Sequence, residues 1–156
     1  MEQNGEFEVE ADMDKVWGVI SDANEFSKLL PDVSSVSING DEFEVRFNVD
    51  IRKYTSKFMG ASYLSNLNVK FSGSVKNKNL KKHVEIEGKG SAVGIKFSIS
   101  LGLDISQIEK RVKVAWKAGM ETGGFAKIFG EATIDEAIKT TVEQVIENIK
   151  KRLTLM

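Results

Sequence analysis

His83 is the only histidine in the chain, and it stands beside Lys81 and Lys82 at the start of an alternating run, on the phase opposite to Val84 and Ile86. A general base or a metal ligand needs a positioned carboxylate or a second ligand, and none stands out beside it, so a solvent-facing imidazole is the expectation. The pairs Glu8/Glu10 and Glu85/Glu87 could supply the two carboxylates of acid–base chemistry, but each alternates with apolar residues and should point outward. With no cysteine there is no thiolate nucleophile, disulfide or sulfur ligand, and no His/Cys cluster has the spacing of a zinc site. The run GKGSAVG, residues 88–94, lacks the Gly-Lys-Ser/Thr ending of a phosphate loop and opens no helix, which favours a sheet bend. These residues predict no catalytic set, no metal and no cofactor.

The elements that must position any site are easier to read. Phe7, Val9 and Ala11 alternate with glutamates, the period of a half-buried strand. The same alternation returns in Phe43 to Ile51, Leu67 to Val75, Val84 to Ala92, Ile95 to Leu103 and Val112 to Met120, with Asn39-Gly40-Asp41 as a hairpin signal. Asp12 and Asp22 can cap two short helices, the first over about 13–21 and the second running through Phe26 and Leu29 to Leu30. Pro31, the only proline, stops that second helix at Leu30 and sends the chain out extended. Near the C-terminus Ile134, Ala137, Ile138, Thr141, Val142, Val145, Ile149 and Leu153 form a helical apolar stripe.

The simplest assembly is a single α+β domain over residues 1–156. It has a bent antiparallel sheet of about seven strands gripping one long C-terminal helix, with two short helices after the first strand. Glycines at 88, 90 and 94 would let the sheet bend. The 22 basic and 23 acidic residues leave a net charge of −1, so no overall field draws in nucleic acid. The chain shows no signal peptide and no run of roughly 20 apolar residues, which predicts a cytoplasmic protein with at most peripheral membrane contact.

On the inner phase lie Phe47, Phe71, Phe97, Ile99, Trp116 and Met120, faced by Phe129, Ile134, Ile138 and Val142. An ordinary packed core would account for them. Gly73, Gly88, Gly90, Ala92 and Ala118 on the same phase would instead leave space for a cavity, and alternation alone leaves both readings open.

The opening FEVEADMDKVWGVISDANEFSKLLPDVSSV resembles the start of the SRPBCC superfamily, the START-related or helix-grip proteins. The resemblance continues through LNVKFSGSV, EGKGSAVGIKFSISL and METGGFAKIFG, and within the superfamily it is greatest to the CoxG family, the G subunit of carbon monoxide dehydrogenase. It implies a helix-grip fold enclosing an elongated apolar cavity, with no catalytic set common to the superfamily. It also implies an apolar or amphipathic small-molecule ligand, quinone or lipid-like, and a role in maturation or membrane delivery beside a molybdenum-containing carbon monoxide dehydrogenase or related hydroxylase. Some family members carry a membrane-anchoring tail after the long helix, whereas this chain ends at RLTLM; where they tend to place a small polar residue entering the last strand, it has Glu109-Lys110-Arg111.

The segment IRKYTSKFMGASYL, residues 51–64, mixes Lys53 and Lys57 with Tyr54, Phe58, Met59 and Tyr63. A hairpin extending the sheet and a lid or surface patch at the cavity mouth both fit it. A cyclase- or dehydratase-like enzyme of the same fold, and an interaction or chaperone module with a filled core, are the alternative functions.

Overall fold

The alternating runs are strands. β1 (Glu2–Val9), β2 (Ser35–Asn39), β3 (Glu42–Asp50), β4 (Asn66–Asn79), β5 (His83–Ala92), β6 (Ile95–Ile108) and β7 (Arg111–Glu121) form one antiparallel sheet in the order β1-β7-β6-β5-β4-β3-β2. Sequential strands from β2 to β7 pair with their neighbours, and β1 pairs with β7. Gly40, at φ +62°, takes the first position of the two-residue turn between β2 and β3, where a positive angle suits glycine. The computed structural model describes residues 2–50, 66–121, 123–124, 127–128 and 130–154.

Between β1 and β2 run α1 (Met13–Ile20) and α2 (Ala23–Ser27), and α3 (Glu131–Thr154) is the long C-terminal helix. Both predicted caps form: the Asp12 carboxylate accepts from the Asp14 amide at 3.1 Å, and Asp22 from the Asn24 amide at 2.8 Å. Val16, Val19 and Ile20 on α1 are wholly buried. The second helix is shorter than its sequence suggests, ending at Ser27 with Lys28 as its C-cap, so Leu29 and Leu30 belong to a turn before Pro31. Proline disfavours helix at the residue before it but does not oblige the helix to reach that residue.

The glycines of the concave face have a further purpose that the sequence reading did not include. Gly88 and Gly90 lie in unbroken register, and the irregularity of the sheet sits between Lys76 and Asn79 on β4. A Cβ at Gly88 would lie 2.4 Å from Phe71 Cζ, one at Gly90 2.4 Å from Phe97 Cζ, and one at Gly73 2.6 Å from Phe43 Cζ. Each glycine therefore makes room for a phenylalanine ring. The rings form a row, with Phe26–Phe43 centroids 6.2 Å apart, Phe43–Phe71 6.0 Å, and Phe71–Phe97 6.3 Å and nearly parallel at 9°.

Polar ties fix α3 across this floor. Asn148 donates to the Leu29 carbonyl at 2.8 Å, and Arg152 grips Glu25 of α2 through two bonds of 2.8 Å. The Arg152 hydrogen bond, against an opposing effect of burial, holds the Glu25 carboxyl below its ordinary value. Near the other end of the helix, Gln3 of β1 donates to the Asp135 carbonyl at 3.1 Å.

Candidate ligand cavity

With one apolar face on a curved sheet and one apolar stripe on a helix, the fold must fill or leave the volume between them. The row of rings fills part of it. A cavity of about 240 Å³ is left between the concave face and α3. Its helix wall runs from Ile134 to Ile149, about 22 Å along the axis at 1.5 Å per residue.

Phe47, Phe71, Phe97, Ile99, Trp116, Met120, Ile134, Ile138 and Val142 all border this space. Phe129 lies outside the described residues, as do Tyr54, Phe58, Met59 and Tyr63 of the suggested lid or patch. Gly73, Gly88 and Gly90 do not supply the volume, because rings cover them; Ala92 and Ala118 are on the wall. Phe7 and Gln3 of β1, Phe26 of α2 and Leu30 just after that helix also line it and were not singled out for the cavity by sequence. For β1 the alternation already put Phe7 on the inner phase, and extending it to Gln3 would have found both.

No ionisable side chain borders the cavity among the described residues. The Thr141 hydroxyl is engaged with the Ala137 carbonyl at 2.8 Å, and Gln3 is tethered to Asp135. Such a wall suits hydrocarbon and disfavours a bare charge, whose desolvation nothing there would offset. A wider concavity, about 930 Å³, lies on the opposite face of the sheet among Ser72, Ser74, Ser98 and Ser100. It is an open polar trough where Lys76 pairs with Glu87 at 2.9 Å, and it offers no enclosure.

His83 proves to have the carboxylates that sequence did not reveal. Nδ1 lies 2.7 Å from Asp104 on β6 and Nε2 3.2 Å from Glu85, whose Oε2 also accepts from Asn77 at 2.8 Å. This cluster is on the convex face, away from the cavity, and no group of three or more His, Cys, Asp or Glu among the described residues could hold a metal. The Asp104 bond foremost, with help from Glu85 and against slight burial, raises the imidazole above its ordinary value of 6.5. Because the folded value is the higher one, the stabilisation is complete below about pH 6.5 and fades as pH climbs through the raised value. The single histidine should titrate by proton NMR above 6.5, and Asp104→Asn should bring it down; an unshifted titration in both proteins would show that the clasp does not form.

The profile of the CoxG family, described as the G subunit of carbon monoxide dehydrogenase, matches residues 5–154. The chain belongs to this family. A comparison with curated proteins finds no match. Among solved structures, a conserved protein from Geobacillus kaustophilus aligns with a TM-score of 0.80 at 15% identity, covering 99% of this chain and 95% of that one. A START superfamily protein from Mycobacterium smegmatis aligns at 0.72 with 10% identity, covering 99% and 97%. A protein from Thermus thermophilus follows at 0.64 and 12%, covering 99% and 98%. At such identities the likeness speaks for the fold: the CoxG chain has the START-like helix-grip architecture. Family and fold together suggest binding of a hydrophobic ligand. No helix among the described residues is long and apolar enough to cross a membrane.

Proposed function

We propose that this CoxG protein acts as one domain that binds an uncharged apolar or amphipathic small molecule, quinone or lipid-like, between its sheet and α3. The observation that carries the reading is a cavity of about 240 Å³ with no ionisable side chain on its described walls. An apolar cavity of about 150 Å³ can hold a benzene molecule, so this one suits about ten carbon atoms, with any longer tail or polar head at the mouth. Burying about 300 Å² of such a ligand is worth about 7 kcal/mol before ordering costs, which sets a dissociation constant near 10 μM as the tightest that burial of this area supports. Membership of the CoxG family supports service to a carbon monoxide dehydrogenase-type molybdenum hydroxylase, in maturation or membrane delivery. A cyclase- or dehydratase-like reaction needs an acid or base at the cavity, and no described side chain there supplies one.

Calorimetric titration with decanol and with decanoate tests the reading. Decanol should bind at least about tenfold more tightly at neutral pH, because nothing on the wall offsets the desolvation of a carboxylate. A preference for decanoate, or no binding of either, would sink it.

A further inference from the structure

Trp116 borders the cavity, and its indole N–H has no partner among the described residues, which gives the proposed ligand a direction. Trp116 lies near the middle of β7, on the concave side, opposite Gly5 of the edge strand β1. A Cβ at Gly5 would sit 2.8 Å from the indole Cζ2, 2.9 Å from Cε2 and 3.0 Å from Nε1, so the nitrogen-bearing edge of the ring rests over the glycine backbone. A side chain at position 5 would collide with the ring where it lies.

No described group accepts a hydrogen bond from that indole N–H, although Gln3 and Thr141 on the same wall each donate to a carbonyl of α3. Every fully buried side-chain nitrogen or oxygen of the described residues does have a partner. The Trp116 nitrogen is therefore not sealed in the packing, and its residue borders the cavity. An indole nitrogen donates only, and Thr141, having spent its proton on Ala137, keeps acceptor capacity only.

We infer that Trp116 is a specificity-determining residue of the cavity, whose indole N–H donates to a carbonyl or ether oxygen of the ligand. This inference rests on the ligand-binding reading and sharpens it. The oxygen-bearing part of the ligand lies between β1, β7 and the first turns of α3, beside Gln3, and the hydrocarbon part extends towards Phe71 and Phe97. A ligand without an acceptor would displace solvent from the indole and return no hydrogen bond, so the site prefers the oxygenated member of a pair of equal size.

The rigid ten-carbon pair 1-tetralone and tetralin isolates that bond. The wild-type protein should bind the ketone about tenfold more tightly by calorimetry, and Trp116→Phe, which keeps a ring over Gly5, should bring the ratio close to one. The chain has two tryptophans, so its nitrogen-15 spectrum holds two indole N–H signals, and the variant assigns them. In the wild type the Trp116 signal should move downfield with tetralone and much less with tetralin, a readout that needs no variant to fold. Binding of both probes with no ketone preference, or with equal losses in Trp116→Phe and no distinct indole shift, would overturn the inference and leave the cavity reading standing. Failure of both probes to bind the wild type would overturn the two together.

Discussion

Gly88→Ala destabilises the protein by about 3 kcal/mol, although alanine is ordinarily at least as good as glycine in a strand. The added Cβ would lie 2.4 Å from the Ser72 carbonyl oxygen and 2.8 Å from Gly73 Cα, both backbone atoms of β4, as well as 2.4 Å from Phe71 Cζ. A ring can turn aside, but a paired strand moves only by stretching its hydrogen bonds. In a chain of this size the loss should lower Tm by about 6–12 °C, measured by calorimetry or by urea midpoint. Gly18→Ala is the control: it has nothing within 4 Å of the added carbon and lies in a helix, so it should be neutral or stabilising. Equal effects at the two sites would contradict the account of why Gly88 is glycine.

The same residues show how far the sequence could be read. Alternation revealed the strands because one face is wet and the other apolar, and Asp12 and Asp22 announced both short helices because a cap works locally. The role of Gly88 was hidden because it depends on a ring delivered from the neighbouring strand, and a glycine that opens space looks the same in sequence as one that accepts a ring. The clasp on His83 was hidden for the same reason: Asp104 stands 21 residues away, and only the β5–β6 register brings them together. Glu85, two residues on, was rightly expected to point outward, and its presence on the same outward face is what lets it reach His83.

Filling the cavity should cost binding and spare the fold. Ala118 lies on β7 between Trp116 and Met120, borders the cavity and is only half-buried. Ala118→Phe would place a whole phenyl ring in that volume, close to the space required by the proposed ligand. Decanol affinity should fall at least about 100-fold, while stability stays within about 1 kcal/mol of the wild type, since the ring enters empty volume and not packed core. A destabilisation of about 3 kcal/mol or more would mean that the volume is closed by packing, and unchanged affinity would place the ligand elsewhere.

The described inner-phase residues, which leave out Phe129, share a face because they follow the periodicities of a strand and a helix. That they border a remaining void was not legible in the sequence, because the void is the difference between the volume enclosed by the sheet and α3 and the volume of the row of rings. Gln3 and Phe7 were missed for a plainer reason: β1 was read as the start of the fold and not as the edge strand beside β7, where it forms the cavity wall nearest Trp116.

The most direct test of the central claim is native mass spectrometry of the protein as purified, followed by solvent extraction and identification of whatever is released. The account predicts a near-stoichiometric adduct of an uncharged, oxygen-bearing apolar molecule, lost in Ala118→Phe. A clean apo mass, with no thermal shift from a panel of quinones, long-chain alcohols and fatty acids, would contradict it.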